Sequence, residues 1–194
     1  MKLINLKTEI LGQKVIYYNK IDSTQEEMWR QIQNNNLENG TIIIADIQTN
    51  GKGTHGRIWH TDEINNVAFS LYIKANCSVD QLNGLTIDIA KTLVNIFKKE
   101  YNINVEISEP NDLNINEKKI GGILTECKVI NKNVKYLVIG IGINTTKTNF
   151  TDDIKDIATS IYKEFNVETD REKIISDFCN EFEEIIKRRK ILWE

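Results

Sequence analysis

Apolar and polar residues follow one another in short patterns that predict strands through the middle of the sequence. Runs rich in β-branched and aromatic residues predict strands over residues 15–18, 41–46, 67–73, 105–107 and 136–143. Two more runs, residues 113–115 and 120–127, flank a turn and predict a hairpin. These strands together predict a sheet at the centre of the fold.

Apolar residues recur at helical spacing on either side of these strands. Small polar residues at 22–25 and two acids precede Met28 and Ile32, which is typical of the start of a helix. Further stretches with helical spacing cover residues 81–101, 155–162 and 171–190. Strands in the middle with helices around them predict an α+β fold in which helices pack on a sheet.

The composition is that of an ordinary globular domain. A chain of 194 residues with 40% hydrophobic and 27% charged residues can bury a sizeable core as one domain. Cys77, Cys127 and Cys179 are far apart and odd in number, so neither a disulfide framework nor a CxxC metal site is indicated. No signal peptide and no membrane-length apolar run is found, which predicts a cytoplasmic protein without a membrane partner.

The net charge of -3 gives no broad basic field, so no DNA partner is expected.

The first candidate ligand-binding motif is Gly51-Lys52-Gly53-Thr54-His55-Gly56-Arg57, which matches the pattern G-x-G-x-x-G. In a dinucleotide-binding fold a helix must follow these glycines, and here a β-rich run follows, so that function is rejected. Glycines admit an anion close to backbone N–H groups, while Lys52 and Arg57 add positive charge. With Trp59 close behind, residues 48–57 predict a phosphate-binding loop. A mobile glycine-rich surface loop is the alternative.

Two later stretches also combine glycine with polar groups. Pro110-Asn111-Asp112 precedes Lys118-Lys119-Ile120-Gly121-Gly122, where a ligand could lie against bare backbone beside the Lys119 ammonium. Gly140-Ile141-Gly142-Ile143-Asn144 places glycines inside a predicted strand, which is consistent with close approach of a ligand. The simpler interpretations are a turn with exposed lysines and a β-bulge.

In their order along the chain, these stretches resemble the biotin protein ligases, over roughly residues 15–190. The elements that carry the resemblance are Asp22-Ser23-Thr24, the stretch from Gln48 to Trp59, Pro110-Asn111-Asp112, the stretch from Lys119 to Glu126, and the stretch from Gly140 to Asn144. Ala158-Thr159-Ser160-Ile161 and Arg171 also resemble a later segment of the family.

The resemblance implies a mixed β-sheet flanked by α-helices, the class II aminoacyl-tRNA synthetase-like catalytic domain of biotin–lipoate ligases. It implies one catalytic domain over residues 1–194, without the DNA-binding and C-terminal β-barrel domains of some members. The implied reaction uses ATP, with Mg²⁺, to activate biotin as biotinyl-5'-AMP and then transfers biotin to a lysine of a biotin carboxyl carrier protein. A homodimer is one candidate assembly.

The resemblance also implies roles for individual residues. Three are expected at the reacting centre: Lys119 between the biotin carboxylate and the α-phosphate, Asp112 beside it, and Arg57 on the anions. The expected ligand-binding positions are Ser23, Thr24 and Gln48 on the biotin head group, Gly51, Gly53, Gly122 and Gly142 as close backbone contacts, Lys52 on carboxylate and phosphates, Trp59 on adenine, and Asn111 and Asn144 on the adenine and metal side.

The sequence departs from the family pattern at two places near these motifs. Ser108-Glu109 stand where the family usually has Lys-Trp, and Thr54 and His55 stand where basic residues are usual. Both changes remove positive charge, which puts the rate and the retention of the adenylate in question. Two alternatives stay open: a lipoate or octanoate ligase of the same superfamily, whose fold would look identical, and a catalytically weak biotin-binding regulator, which Ser108-Glu109 support.

Overall fold

The computed structural model describes residues 3–34 and 37–192. The strands are Val15–Ile21 (β1), Ile42–Lys52 (β2), Ile58–Thr61 (β3), Val67–Ser78 (β4), Glu106–Ser108 (β5), Asp112–Ile115 (β6), Lys118–Ile130 (β7) and Asn133–Ile143 (β8). The helices are Thr24–Gln33 (α1), Leu85–Tyr101 (α2), Ile161–Phe165 (α3) and Arg171–Arg188 (α4), with short 3₁₀ turns at Thr54–Gly56 and Val79–Leu82.

All eight strands belong to one sheet, in the order β1-β2-β4-β8-β7-β6-β5, with β3 paired to β2. β1 and β2 are parallel and the other pairs are antiparallel, so the sheet is mixed. The long β7–β8 hairpin turns at Asn131 and Lys132, which both have positive φ. The predicted α+β fold is confirmed.

One face of the sheet carries the main hydrophobic core. Phe69, Ile139 and Ile141 belong to the buried cluster that includes the apolar residues of α2 and α4. Phe178 of α4 meets the Phe69 ring edge-on, with 5.7 Å between centroids. Each large apolar side chain buried there contributes about 1.5–3 kcal/mol of hydrophobic stabilisation. This face therefore holds the fold together.

The opposite face is only partly covered by a helix. Met28 of α1 packs on Ile43, Tyr72 and Val138 in a smaller core. Beyond that contact the face carries small residues: Ser70 is paired with Gly140, and Gly142 with Gly122. Without bulky side chains the sheet leaves open space next to α1, and the candidate site lies there.

The predicted start of α1 is confirmed in detail. Ser23 is the N-cap, and its Oγ accepts a hydrogen bond from the Glu26 backbone N–H at 3.4 Å. Arg30 donates two hydrogen bonds to Asp22 at 2.7 and 2.8 Å, and these bonds lower the pKa of Asp22 to about 2. The Asp22-Ser23-Thr24 stretch is thus fixed by its own helix.

The prediction of a loop over residues 48–57 was wrong for its first half. β2 continues to Lys52, and it pairs with β3 through Gly51 opposite Trp59 and Lys52 opposite Ile58. The glycines weaken strand propensity, but pairing with β3 satisfies the backbone. The turn proper is residues 53–57, where His55 has a φ of 56°.

The helix predicted over residues 155–162 was also wrong. Ala158 instead forms a parallel bridge with Lys119. The Lys119 backbone N–H donates to Ile157 O at 2.8 Å, and the Thr159 N–H donates to Lys119 O at 2.9 Å. The Ile157 carbonyl and the Thr159 N–H are used in these bonds and are not available for helical hydrogen bonds. The helix α3 therefore begins only at Ile161, after the N-cap Ser160.

The helix predicted over 81–101 begins later than expected because Gly84 adopts a left-handed φ of 75°. The three cysteines are free, with Cys77 and Cys179 buried and Cys127 exposed. Within the described residues, no helix is long and apolar enough to span a membrane.

Candidate active site

A cavity opens on the uncovered face of the sheet, between the start of α1, the β2–β3 hairpin and the segment that follows β8. All of the residues predicted to bind or react line it except Gly51 and Asp112. Those that line it are Ser23, Thr24, Gln48, Lys52, Gly53, Arg57, Trp59, Asn111, Lys119, Gly122, Gly142 and Asn144. The fold thus brings together motifs that lie far apart in the sequence.

The end of the cavity next to α1 is polar and buried. Gln48 Oε1 accepts hydrogen bonds from the Thr24 backbone N–H at 2.8 Å and from Thr24 Oγ1 at 3.1 Å. On its other side, Gln48 Nε2 donates to Thr61 Oγ1 at 3.0 Å. Ser23 and Thr24 are at most 4% exposed. This end can therefore bind a compact polar group with both donors and acceptors.

The floor of the cavity is bare backbone. A Cβ placed on Gly142 would lie 2.3 Å from two atoms of the Trp59 indole, so that ring rests directly on the strand. A Cβ on Gly122 would lie 3.5 Å from Lys119 Nζ and 3.6 Å from the same ring. The glycines allow the indole and the ammonium to approach the sheet closely.

Gly51 does not line the cavity, and its role is in the packing of β2 against β3. A Cβ there would lie 2.3 Å from the Trp59 carbonyl oxygen and 2.9 Å from Gln48 Nε2. Its lack of a side chain lets β3 approach β2 and carry Trp59 over the cavity. Direct contact between Gly51 and a ligand stays a prediction.

Lys119 and Asp112 form an ion pair at the edge of the cavity. Lys119 Nζ lies 2.7 Å from Asp112 Oδ1, and the two side chains are 29% and 24% exposed. Lys119 Nζ also lies 5.7 Å from the Trp59 ring centroid. Asp112 Oδ1 is buried and accepts no hydrogen bond of regular geometry, so the contact is an ion pair of opposite charges. The ion pair with Asp112 therefore keeps the Lys119 ammonium next to Gly122 in the cavity floor.

Two more cations line the cavity from the β2–β3 hairpin. Lys52 forms an ion pair with Glu26 of α1. Arg57 donates hydrogen bonds to the carbonyl and hydroxyl oxygens of Thr54, at 3.3 and 3.1 Å. To bind an anion, Lys52 would have to exchange its ion pair with Glu26. The contacts of Arg57 named here are with neutral oxygens of Thr54, so Arg57 is the more available of the two cations.

Asn111 and Asn144 are held by the backbone at the far side of the cavity. Asn111 Nδ2 donates to Ile123 O at 3.3 Å, and Asn144 Nδ2 donates to Thr159 O at 3.2 Å. Each amide oxygen can still accept a hydrogen bond from a ligand.

The sequence did not reveal several residues of the site. Gln25 and Ser70 extend the polar end, and Ser70 Oγ donates to Gln25 Oε1 at 2.9 Å. At the opposite end, Lys147 is almost fully buried, forms an ion pair with Asp62, and lies 5.4 Å from the Phe150 ring. Gln25 follows the Asp-Ser-Thr motif and could have been included. No local signal indicates Lys147, because its burial depends on two separate loops meeting.

Of the departures from the family pattern, Thr54 lines the cavity, whereas His55, Ser108 and Glu109 lie outside its wall. Ser108 pairs with Asp112 across β5 and β6, and both Ser108 and Glu109 are exposed. Thr54 holds Arg57, and His55 is exposed at the turn. The acid gained at Glu109 therefore faces solvent.

A model of the Biotin/lipoate A/B protein ligase family matches residues 17–144 of this sequence, the part that contains most of the cavity wall. The chain belongs to the biotin/lipoate A/B protein ligase family.

Individual proteins with similar sequences or structures are named as ligases. The bifunctional ligase/repressor BirA of Bacillus subtilis is 36% identical over 97% of this chain, which spans 61% of that protein's length. The human biotin–protein ligase is 27% identical over 84% of the chain and 23% of its own length. The biotin protein ligase of Aquifex aeolicus, solved with biotin and ATP, has a TM-score of 0.75 at 26% identity and covers 92% of this chain and 72% of its own.

Proposed function

We propose that this chain is an ATP-dependent biotin–protein ligase. It would activate biotin as biotinyl-5'-AMP and pass the biotinyl group to a lysine of a biotin carboxyl carrier protein. The observation that carries the proposal is the cavity itself: a buried polar end at Thr24 and Gln48, a glycine floor, and the Lys119 ammonium at the other end of that floor. Relatives named as biotin ligases, one of them solved with biotin and ATP, support it.

The polar end suits the ureido ring of biotin, and the floor suits its aliphatic tail. With the ring against Thr24 and Gln48, the tail would run along the glycine floor toward Lys119, and the Trp59 indole, which rests on Gly142 in this structure, would move aside to admit it. The biotin carboxylate would then lie beside a cation. The same placement leaves the Trp59 indole available for the adenine ring of ATP.

In the first half-reaction a carboxylate oxygen of biotin attacks the α-phosphate of ATP and pyrophosphate leaves. Lys119 would lie between the two anions and stabilise the charge that grows on the phosphoryl oxygens. Arg57 would hold the phosphates from the hairpin. The ion pair with Asp112 keeps the Lys119 ammonium in place before either substrate arrives.

In the second half-reaction the amine of a carrier lysine attacks the mixed anhydride and AMP leaves. The amine must lose a proton, and Asp112 would orient it or accept that proton. Closure of the 53–57 turn would exclude water, which would otherwise hydrolyse the adenylate.

Mg²⁺ was expected together with ATP. Within residues 3–34 and 37–192, no group of three or more His, Cys, Asp or Glu side chains could hold a metal ion. The described residues do not by themselves form such a site, and the roles above rest on side chains alone. A cytoplasmic location, a homodimer and the absence of a DNA partner stay predictions.

The proposal is tested by adenylate formation with ATP labelled at the α-phosphate. Biotin should give labelled biotinyl-AMP, and lipoate should give none. An adenylate with lipoate alone would assign the chain to lipoate ligation. Binding of biotin without any adenylate would make it a biotin-binding regulator. When a carrier domain is then added to the biotin reaction, the labelled biotinyl-AMP should disappear and the label should be released as free AMP.

A further inference from the structure

A line of hydrogen bonds connects the polar end of the cavity to Glu126, a residue outside the cavity wall. Glu126 Oε2 accepts from Gln25 Nε2 at 2.8 Å, and Ser70 Oγ donates to Gln25 Oε1 at 2.9 Å. Ser70 Oγ lies 3.0 Å from Thr24 Oγ1. Thr24, Gln25 and Ser70 are at most 4% exposed, so bulk water does not compensate for a missing partner.

The chemistry of its neighbours fixes the direction of this line. Both groups near Gln25 Nε2 can only accept: the Glu126 carboxylate at 2.8 Å and the Val138 carbonyl oxygen at 3.3 Å. The amide nitrogen of Gln25 must therefore face them. Its oxygen must face Ser70, and the single hydroxyl hydrogen of Ser70 is used there.

The hydrogen of Thr24 is also used within the protein. The two partners of its hydroxyl are Ser70 Oγ, whose own hydrogen is committed, and Gln48 Oε1 at 3.1 Å. Gln48 presents that oxygen because the Thr24 backbone N–H, which can only donate, lies 2.8 Å from it. The two hydroxyls thus present only lone pairs to the cavity.

Gly140 shows that the position of Gln25 is tightly constrained. A Cβ on Gly140 would lie 2.7 Å from Gln25 Oε1, too close for the present arrangement. The absence of a side chain at this strand position makes room for the Gln25 amide between α1 and the sheet.

We propose that Glu126 is a positioning residue that sets the polarity of the Thr24–Ser70 hydroxyl pair. By holding the Gln25 amide in one orientation, it makes the pair an acceptor and so selects a ligand whose ring end donates an N–H. A ureido ring has such N–H groups, whereas the dithiolane ring of lipoate has none. This inference rests on the proposed function, since it assigns the specificity of the same cavity.

A side chain that can only donate tests the polarity, because an amide at position 126 would keep its oxygen on the Trp29 N–H and leave Gln25 as it is. In Glu126→Lys the ammonium can only donate to Gln25, whose amide then turns over and donates to Ser70. One hydroxyl hydrogen is released into the cavity, where it opposes the N–H of the ligand. Biotin affinity measured by calorimetry should fall about tenfold, the scale of one neutral hydrogen bond. ATP affinity and the single-turnover rate at saturating biotin should stay unchanged.

The chain offers a matched control on the same oxygen. Trp29 Nε1 donates to Glu126 Oε2 at 2.7 Å, but Trp29 does not line the cavity. Trp29→Phe removes this bond and leaves the Gln25 bond in place, so biotin affinity should be unchanged. Gln25→Met is a second variant: it leaves Glu126 and Trp29 intact, frees the Ser70 hydrogen, and should weaken biotin as much as Glu126→Lys.

The outcomes separate this inference from the proposed function. If the wild-type protein binds no biotin, the proposed function is wrong and this inference fails with it. If the wild-type protein binds biotin and both Glu126→Lys and Gln25→Met bind it equally well, only the polarity inference is overturned. Equal losses for biotin and ATP, or the same loss in Trp29→Phe, would show that Glu126 only ties α1 to the sheet.

Discussion

The two faces of β8 differ although their residues alternate along one strand. Ile139, Ile141 and Ile143 face the main core and are at most 2% exposed. Between them, Gly140 and Gly142 face the candidate site, and a Cβ on either would meet Gln25 or Trp59 at less than 3 Å. One strand therefore provides apolar side chains for the core on one side and bare backbone that Gln25 and Trp59 approach closely on the other.

This difference shows how the sheet separates stability from binding. The core face obtains its stability from the volume of its side chains, and the loss of that volume leaves a cavity. The site face depends on missing side chains and on a few polar groups with fixed partners. Substitutions on the two faces should therefore change different measured quantities, even at neighbouring positions.

The largest effect on stability is expected on the core face. Ile139→Ala removes a fully buried side chain and should lower the free energy of unfolding by about 2–5 kcal/mol. Biotin and ATP affinities of the folded fraction should change little. Chemical denaturation and calorimetry measure the two quantities. A large loss of biotin affinity at unchanged stability would mean that the faces are not separable in this way.

The largest effect on activity is expected at Lys119. Lys119→Ala should slow adenylate formation roughly 100-fold or more, the scale seen when one electrostatic donor is removed. Lys119→Arg should rescue poorly, because a planar guanidinium does not replace a compact ammonium between two anions. The partly exposed ion pair with Asp112 contributes little to stability, so folding should be nearly intact.

Lys118 is the control for that experiment. It does not line the cavity, and its charge acts on Glu164 of α3. Lys118→Ala should leave single-turnover adenylation nearly unchanged. Equal losses for Lys118→Ala and Lys119→Ala would show that general positive charge, and not the position of one ammonium, supports the reaction.

A smaller and more selective effect is expected at Trp59. Its indole covers Gly142 at the site face and is proposed to stack on adenine. Trp59→Ala should weaken ATP about tenfold, the scale of one base–aromatic stack, and should weaken biotin much less. Equal losses for both ligands with a lower melting temperature would indicate that Trp59 acts only through packing.

The smallest effect concerns a charge on the core side. Glu183 of α4 accepts backbone N–H groups of Glu9, Ile10 and Leu11 at 2.8 to 3.0 Å. Burial opposes ionisation, but these bonds and Lys187 outweigh it and lower the pKa of Glu183. The stabilisation should thus be complete above the ordinary carboxyl pKa and be lost as the pH falls through the lowered value.

Glu183→Gln tests this sign. The variant should lose about 1 kcal/mol at neutral pH, because its bonds to the backbone are no longer charge-assisted. Its stability should also depend less on pH in the acid range. Urea unfolding at several pH values measures both. Parallel pH profiles for the wild type and the variant would contradict the role given to Glu183.

Much of the site was predictable because its motifs are local. Asp22-Ser23-Thr24 caps the helix that follows it, and Gly140 and Gly142 of β8 needed only strand alternation to face one side together. Those patterns depend on neighbouring residues, and the resemblance to a family gave their order a meaning. The two wrong elements have different causes: residues 51–52 become strand by pairing with β3 across a short turn despite their glycine, whereas residues 155–162 are held by a bridge to the distant Lys119.

The sequence by itself determined the α+β class, the start of α1 and the motifs that supply twelve of the residues in the cavity wall. Only the tertiary structure decided that Asp112 pairs with Lys119, that Lys147 is buried, and that Gln25 meets Glu126 across 101 positions of sequence. The reason is physical. Local patterns set helix caps and strand faces, whereas the partner of a side chain depends on strand register and on which loops meet above the sheet.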